Sequence, residues 1–297
     1  MLDYRYKTIL SVAIPLMAST FIQSIVLLTD SAFLSRYNTL DFDASGNGGL
    51  LYITLFIMLV GINDGAQILM ARRVGQKKEH RLPKIFGSTL IINLIIASLL
   101  FCFVLFFIPG IIDSYTSNDI LTVKQTDFVQ IRSFALFSAI ISLAINAYFM
   151  ATGKTTVVLL SAAVTALSNI FLDYAMIFGN AGFPELGLEG AALASTISDF
   201  VGMIFLSIAL LVHKEQRKQG LIKNIGIEFK PLKEVFRVGS PIMLQGVVAL
   251  SVWTIFFAWI EQMGTYELTV SQNIRSIYFL TFVPIWGFAA TTKTYIS

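Results

Sequence analysis

Residues 155–178 read TTVVLLSAAVTALSNIFLDYAMIF, and the order of those residues decides the fold. The run is long enough to cross a bilayer, which takes about 20 mostly apolar residues. Its one charged residue is Asp173. Ser161, Thr165, Asn169 and Asp173 follow one another at steps of four, so a helix gathers them into a single polar stripe. Lipid offers such a stripe no hydrogen-bond partner, so it must face protein or water. A span of this kind belongs in a bundle of further spans.

The rest of the chain supplies them. Of its 297 residues, 56% are hydrophobic and 13% charged, with a mean hydropathy of +0.75. Soluble domains carry about 25% charged residues, so this composition excludes a soluble enzyme, a nucleic-acid-binding module and a disordered chain. Eight segments read as membrane helices: Thr8–Ser35, Leu50–Ala71, Lys84–Pro109, Phe128–Ala151, Thr155–Phe178, Gly190–Val212, Val238–Glu261 and Leu268–Thr292. The first is longer than the apolar core of a signal peptide and no small-residue cleavage site follows it, so it is expected to remain as a helix. The lone Cys102 makes no intrachain disulfide and reads as a small apolar packing residue.

Orientation follows from Lys and Arg, which concentrate in cytoplasmic segments. With the N-terminus inside, all of the 21 Lys and Arg fall on the inner side except Arg36, Lys124, Arg132 and Arg275. Asp41, Asp43, Asp113, Asp119, Asp127, Glu185, Glu189, Glu261 and Glu267 fall outside. The expected topology is a multi-pass membrane protein with a cytoplasmic N-terminus.

A weak internal repeat is present. Ala13-Ile14-Pro15-Leu16-Met17 in the first span parallels Gly239-Ser240-Pro241-Ile242-Met243 in the seventh. Val60–Ala66 in the second parallels Val283–Ala289 in the eighth. Six spans separate the two units. An even number preserves orientation, so the units are expected to be parallel repeats about an axis along the membrane normal. The predicted fold is an all-α polytopic membrane protein. Residues 1–213 form a six-helix N-lobe, 214–237 a basic cytoplasmic loop, and 238–297 the first two helices of a second lobe.

Carboxylates at membrane depth cost about 2.5–3.5 kcal/mol on insertion scales, so they are functional candidates. Asp30, Asp64, Asp173 and Asp199 qualify. Ser19, Gln23 and Asp30 line one face of the first span. Ser138, Ser142 and Asn146 line the fourth, and Ser195 and Asp199 the sixth. These faces are expected around one aqueous cavity, although Ser, Thr and Asn also serve as interhelical hydrogen-bonding glue. Asp64 lies near the basic inner loop and could pair with Arg72 or Arg73 through water. Arg132 or Arg275 could neutralise a cavity acid or snorkel to the interface. Asn169 and Asp173, one turn apart, could converge on one cation or hold a proton, with Asp30 as a further oxygen donor. The residues leave H⁺ and Na⁺ both open. His80 and His213 sit in polar loops, and no phosphate-binding loop or nucleophile–base pair appears. An enzyme is not expected.

At residues 169–179 (NIFLDYAMIFG) and 187–195 (GLEGAALAS) the wording becomes specific. It resembles the signature of the MATE (multidrug and toxic compound extrusion) transporters. Pro15, Asp30, Gly153-Lys154-Thr155, Pro241 with Gln245, and Ser271-Gln272-Asn273-Ile274-Arg275 extend the resemblance over the whole chain. The resemblance implies twelve helices in two six-helix lobes and exchange of H⁺ or Na⁺ for organic, often cationic, substrates by alternating access. It implies a cation-coupling site at Asp30, Asn169, Asp173 and Ser195, the last in place of a frequent Thr. Gln23, Asn146, Thr165, Asp199 and Gln245 would line the cavity. No cofactor is implied beyond the coupling ion, and no metal beyond Na⁺ at that site. The full-length protein would be monomeric in the bilayer of a bacterial inner membrane.

Two departures matter. The seventh span has no acid between Pro241 and Trp259, and Glu261 lies at its outer end, a pattern closer to the DinF-like branch. The chain also ends within or just past the eighth span, so a C-terminally truncated transporter is expected. Alternative readings are a lipid-linked oligosaccharide flippase of related fold, which would favour a basic cavity, and a non-transporting remnant.

Overall fold

The computed structural model describes residues 6–116 and 118–281, with Ile285, Ala289, Thr291 and Thr292. Ten α-helices run through them: α1 (Tyr6–Tyr37), α2 (Thr39–Gly75), α3 (Leu82–Tyr115), α4 (Asp119–Ser133), α5 (Ala135–Ala151), α6 (Thr155–Ile177), α7 (Gly187–Val212), α8 (Lys214–Gln219), α9 (Phe229–Met263) and α10 (Thr265–Thr281). Among the described residues, six helices are long and apolar enough to cross a membrane. The α4–α5 pair, bent by 43°, passes the same test of length and composition when its two helices are taken together. α10 covers the first part of the eighth expected span. Most of the remainder of that span and of the second repeat match, with Lys293 and Arg5, lies outside the described residues.

Three boundaries differ from the sequence reading. The second span starts at Thr39 rather than Leu50, so Asp41 and Asp43 are helical and buried instead of lying in a loop. Residues 41–49 (DFDASGNGG) are rich in turn formers, but Asn38 caps the helix by accepting from the Leu40 N–H, and packing on neighbouring helices overrides local propensity. The fourth span is two helices. Near Phe134 the backbone ladder tightens to three-residue spacing, with Phe134 N–H donating to Ile131 O and Phe137 N–H to Phe134 O, and the Ser133 side chain donates to Gln130 O beside it, which accounts for the bend. Within 214–237, α8 and the first turns of α9 replace part of the expected loop.

The bundle is polar inside and apolar outside where the sequence demanded it. On α6, Asn169 and Asp173 are 2% and 0% exposed, while Leu167 on the opposite face is 71% exposed. Phe106, Phe107 and Leu99 project from α3 in the same way. Cys102 sits on that exposed surface, so it is not the packing residue expected of it. α2 and α9 approach closely where side chains are absent. A Cβ at Gly65 would strike the Gly239 backbone, and one at Gly61 the Met243 backbone. Small residues spaced four apart allow this contact between membrane helices.

Candidate carboxylate site between helices α1, α4, α6 and α7

The α6 stripe packs against α1 and α7. Ser161, Asn169 and Asp173 are buried, and Gly202 of α7 leaves room for Thr165. Asn169 Nδ2 donates to Ser195 Oγ at 3.2 Å, which joins α6 to α7. The Asp30 carboxyl of α1 adjoins that of Asp173. The two meet as acceptors: Asp30 Oδ1, both oxygens of Asp173 and Asn169 Oδ1 are buried without a donor among the described residues. A buried acceptor without a donor is unfavourable by about 1–3 kcal/mol, more when charged. Four such oxygens in one place are therefore a site for something positive. Carboxylate, amide and hydroxyl oxygens are hard donors, suited to a proton or an alkali cation and not to a thiophilic metal.

The four residues expected to couple a cation, Asp30, Asn169, Asp173 and Ser195, thus sit in one place. Arg132 of α4 pairs with Asp199 of α7 at 3.1 Å and stacks 4.6 Å above the Tyr52 ring. Its neutralising role is met with Asp199. Asn146 of α5 keeps a buried Oδ1 without a partner among the described residues. Gln23 and Gln245 are exposed side chains. Arg275 neither pairs with a cavity acid nor snorkels. It donates to Gly46 O at 3.1 Å and lies 4.5 Å over the Phe257 ring. Arg73 pairs at 2.9 Å with Glu234 of α9, an acid not considered as its partner.

A second polar cluster escaped the sequence reading. Glu261 Oε2 accepts from Asn47 and, at 3.0 Å, from Gln125 Nε2. Gln272 donates to Asn47 Oδ1 at 2.7 Å, and Thr269 to the Asp43 carboxylate at 2.9 Å. Tyr115 donates to Gln125 at 2.8 Å. The cluster ties α2, α3 and α4 to α9 and α10. Its signal was the Asp43-x-x-x-Asn47 spacing, masked by assigning those residues to a loop.

The comparisons with known proteins agree with this architecture. The MatE family model matches residues 15–175. The chain is 27% identical to the probable multidrug resistance protein NorM of Thermotoga maritima, over 98% of this chain and 62% of that protein. It is 28% identical to the probable multidrug resistance protein YoeA of Bacillus subtilis, over 77% of this chain and 50% of that protein. A solved MOP superfamily transporter from Pyrococcus furiosus superposes with a TM-score of 0.83 at 21% identity, covering 96% of this chain and 63% of that one. A multidrug resistance MATE transporter in an inward-facing conformation superposes at 0.80 and 20% identity, covering 94% and 64%. The chain therefore spans under two thirds of the length of these relatives. The matched family region takes in Asp30, Asn169 and Asp173 and covers more than half of the sequence, and the chain belongs to the MatE family of transporters.

Proposed function

We propose that this chain forms the ion-coupling part of a cation-driven antiporter that exports organic, often cationic, compounds by alternating access. The observation that carries the reading is the pairing of Asp30 with Asp173 amid buried oxygens that lack donors. Two adjacent carboxylates in a weakly polar setting repel, and one bound proton or Na⁺ relieves that repulsion. Asn169 and Ser195 are placed to complete an oxygen cage for Na⁺ or to orient a proton. The chain's own residues then do three things: Asp30 and Asp173 hold the cation, Asn169 positions the cage, and the α1–α6–α7 packing changes when the cation leaves. A bound cation can drive alternating access only by its differential affinity for the two states.

The protein is a multi-pass resident of a bacterial inner membrane in this reading, with its N-terminus in the cytoplasm and α9 opening a second unit parallel to the first. It works as a monomer at full length. The flippase alternative loses support from the charge of the site, where Asp30, Asp173 and Asp199 face one arginine. The test is ion-driven efflux in proteoliposomes, with a protein of the relatives' full length that carries these residues. Asp173→Asn should abolish coupled efflux and leave membrane insertion intact. Unchanged efflux in that variant refutes the assignment.

A further inference from the structure

The ion pair between Arg132 and Asp199 contains a charge that the coupling site lacks. Arg132 is held in the last turn of α4, and its side chain is only 14% exposed. Its partner is different: the Asp199 side chain is 37% exposed. The guanidinium rests on the Tyr52 ring of α2. Asp30 on α1 lies in the field of both Arg132 and Asp199, and Asp173 on α6 lies in the field of Arg132. The groups facing the guanidinium are thus three carboxylates and one phenol, from α1, α2, α6 and α7.

Three carboxylates share one fixed positive charge. With a cation on the Asp30–Asp173 pair, Arg132 is satisfied by Asp199. When that cation leaves, the pair carries negative charge in a buried setting, where an uncompensated charge is strongly unfavourable. Arg132 is a basic side chain whose charge acts on both members of the pair. A guanidinium carries five donors in a planar fork, and the flat ring beneath it maintains the cation–π contact as the fork turns. Such a turn uncovers Asp199.

We propose that Arg132 exchanges partners between Asp199 and the Asp30–Asp173 pair, and that the released Asp199 binds the positive charge of an organic-cation substrate. This rests on the reading of Asp30–Asp173 as the coupling site. The charge balances in both states. With the coupling cation bound, it sits on the pair and Arg132 sits on Asp199. With the substrate bound, Arg132 sits on the pair and the substrate cation sits on Asp199. Neither state leaves a carboxylate without a positive partner that it had in the other, so the two cations exclude each other. One arginine thereby converts two separate binding events into exchange.

The experiment is equilibrium binding of tetraphenylphosphonium to the purified chain in lipid nanodiscs, with and without saturating Na⁺ and at low and high pH. The wild-type chain should bind the probe, and Na⁺ or acid should weaken binding by about tenfold, within the usual range of coupling between sites. Asp199→Asn should lose the probe. Arg132→Gln should bind it at least as tightly and no longer respond to Na⁺, or to acid above the range in which Asp199 itself takes up a proton. Arg132→Lys keeps the charge and should retain the response, which covers the case in which Arg132→Gln does not fold. Failure of the wild-type chain to bind, or wild-type affinity in Asp199→Asn, overturns the assignment of Asp199. A response that disappears in Asp173→Asn but persists in Arg132→Gln overturns the exchange and leaves the coupling site standing. A response unchanged in Asp173→Asn removes both.

Discussion

At the scale of single residues, the account rests on oxygens that have no donor. Asp173 is fully buried and neither of its carboxylate oxygens has a donor among the described residues. Its burial was legible in the sequence, because a polar stripe on a membrane span must face protein or water. The Asn169–Ser195 bond was legible only through the family resemblance, since spacing alone does not say which helix α6 meets. It leads to a graded expectation. Ser195→Ala removes the acceptor of Asn169 Nδ2 and one cage oxygen but no charge, so cation affinity should fall by less than Asp173→Asn lowers it. Titration calorimetry of the two variants checks the order, and equal losses would contradict it. Arg275 shows the limit of residue-level reading. Its sequence position suggested a charge partner, whereas its real partners are a backbone carbonyl and an aromatic face.

At the scale of elements, polarity predicted where spans cross but not where they begin. Hydropathy places the apolar part of α2 correctly and omits its first turns, because Asp41, Asp43 and Asn47 look like a loop until their partners are known, Lys124 of α4 for Asp41 and residues of α9 and α10 for the other two. The same cause hid the Glu261 cluster, whose members come from five helices. Glu261→Ala should strand the amides of Asn47 and Gln125, at about 1–3 kcal/mol for each buried donor. A lowered unfolding midpoint in detergent should register it, and an unshifted midpoint would show that the cluster does not hold α9 and α10 against α2. The crossing of α2 and α9 makes a steeper prediction. Gly65→Leu must push against the Gly239 backbone, so it should separate the two helices and lower the midpoint further than a Leu at the exposed Gln245 does. Similar midpoints for the two would contradict that packing.

At the scale of the whole molecule, the fold was legible because membrane proteins obey few rules strictly. Apolar surface faces out, backbone groups are satisfied within helices, and ionisable groups turn inward. Leu167 and Asp173 on opposite faces of α6 show all of this in one helix. The direction of insertion rests on the Lys and Arg distribution. A cysteine placed at Lys78 should be reached by a membrane-impermeant thiol reagent only from the cytoplasmic side, and one at Ala181 only from the other side. The reverse pattern would invert the topology. Polarity says less about coupling, which requires that the carboxylate pair holds a cation at all. The direct measurement is the number of cations bound by the chain in nanodiscs, as Na⁺ by titration calorimetry and as protons by back-titration. The account predicts one equivalent bound by the wild type and lost in Asp173→Asn, and equal binding by the two proteins would contradict it.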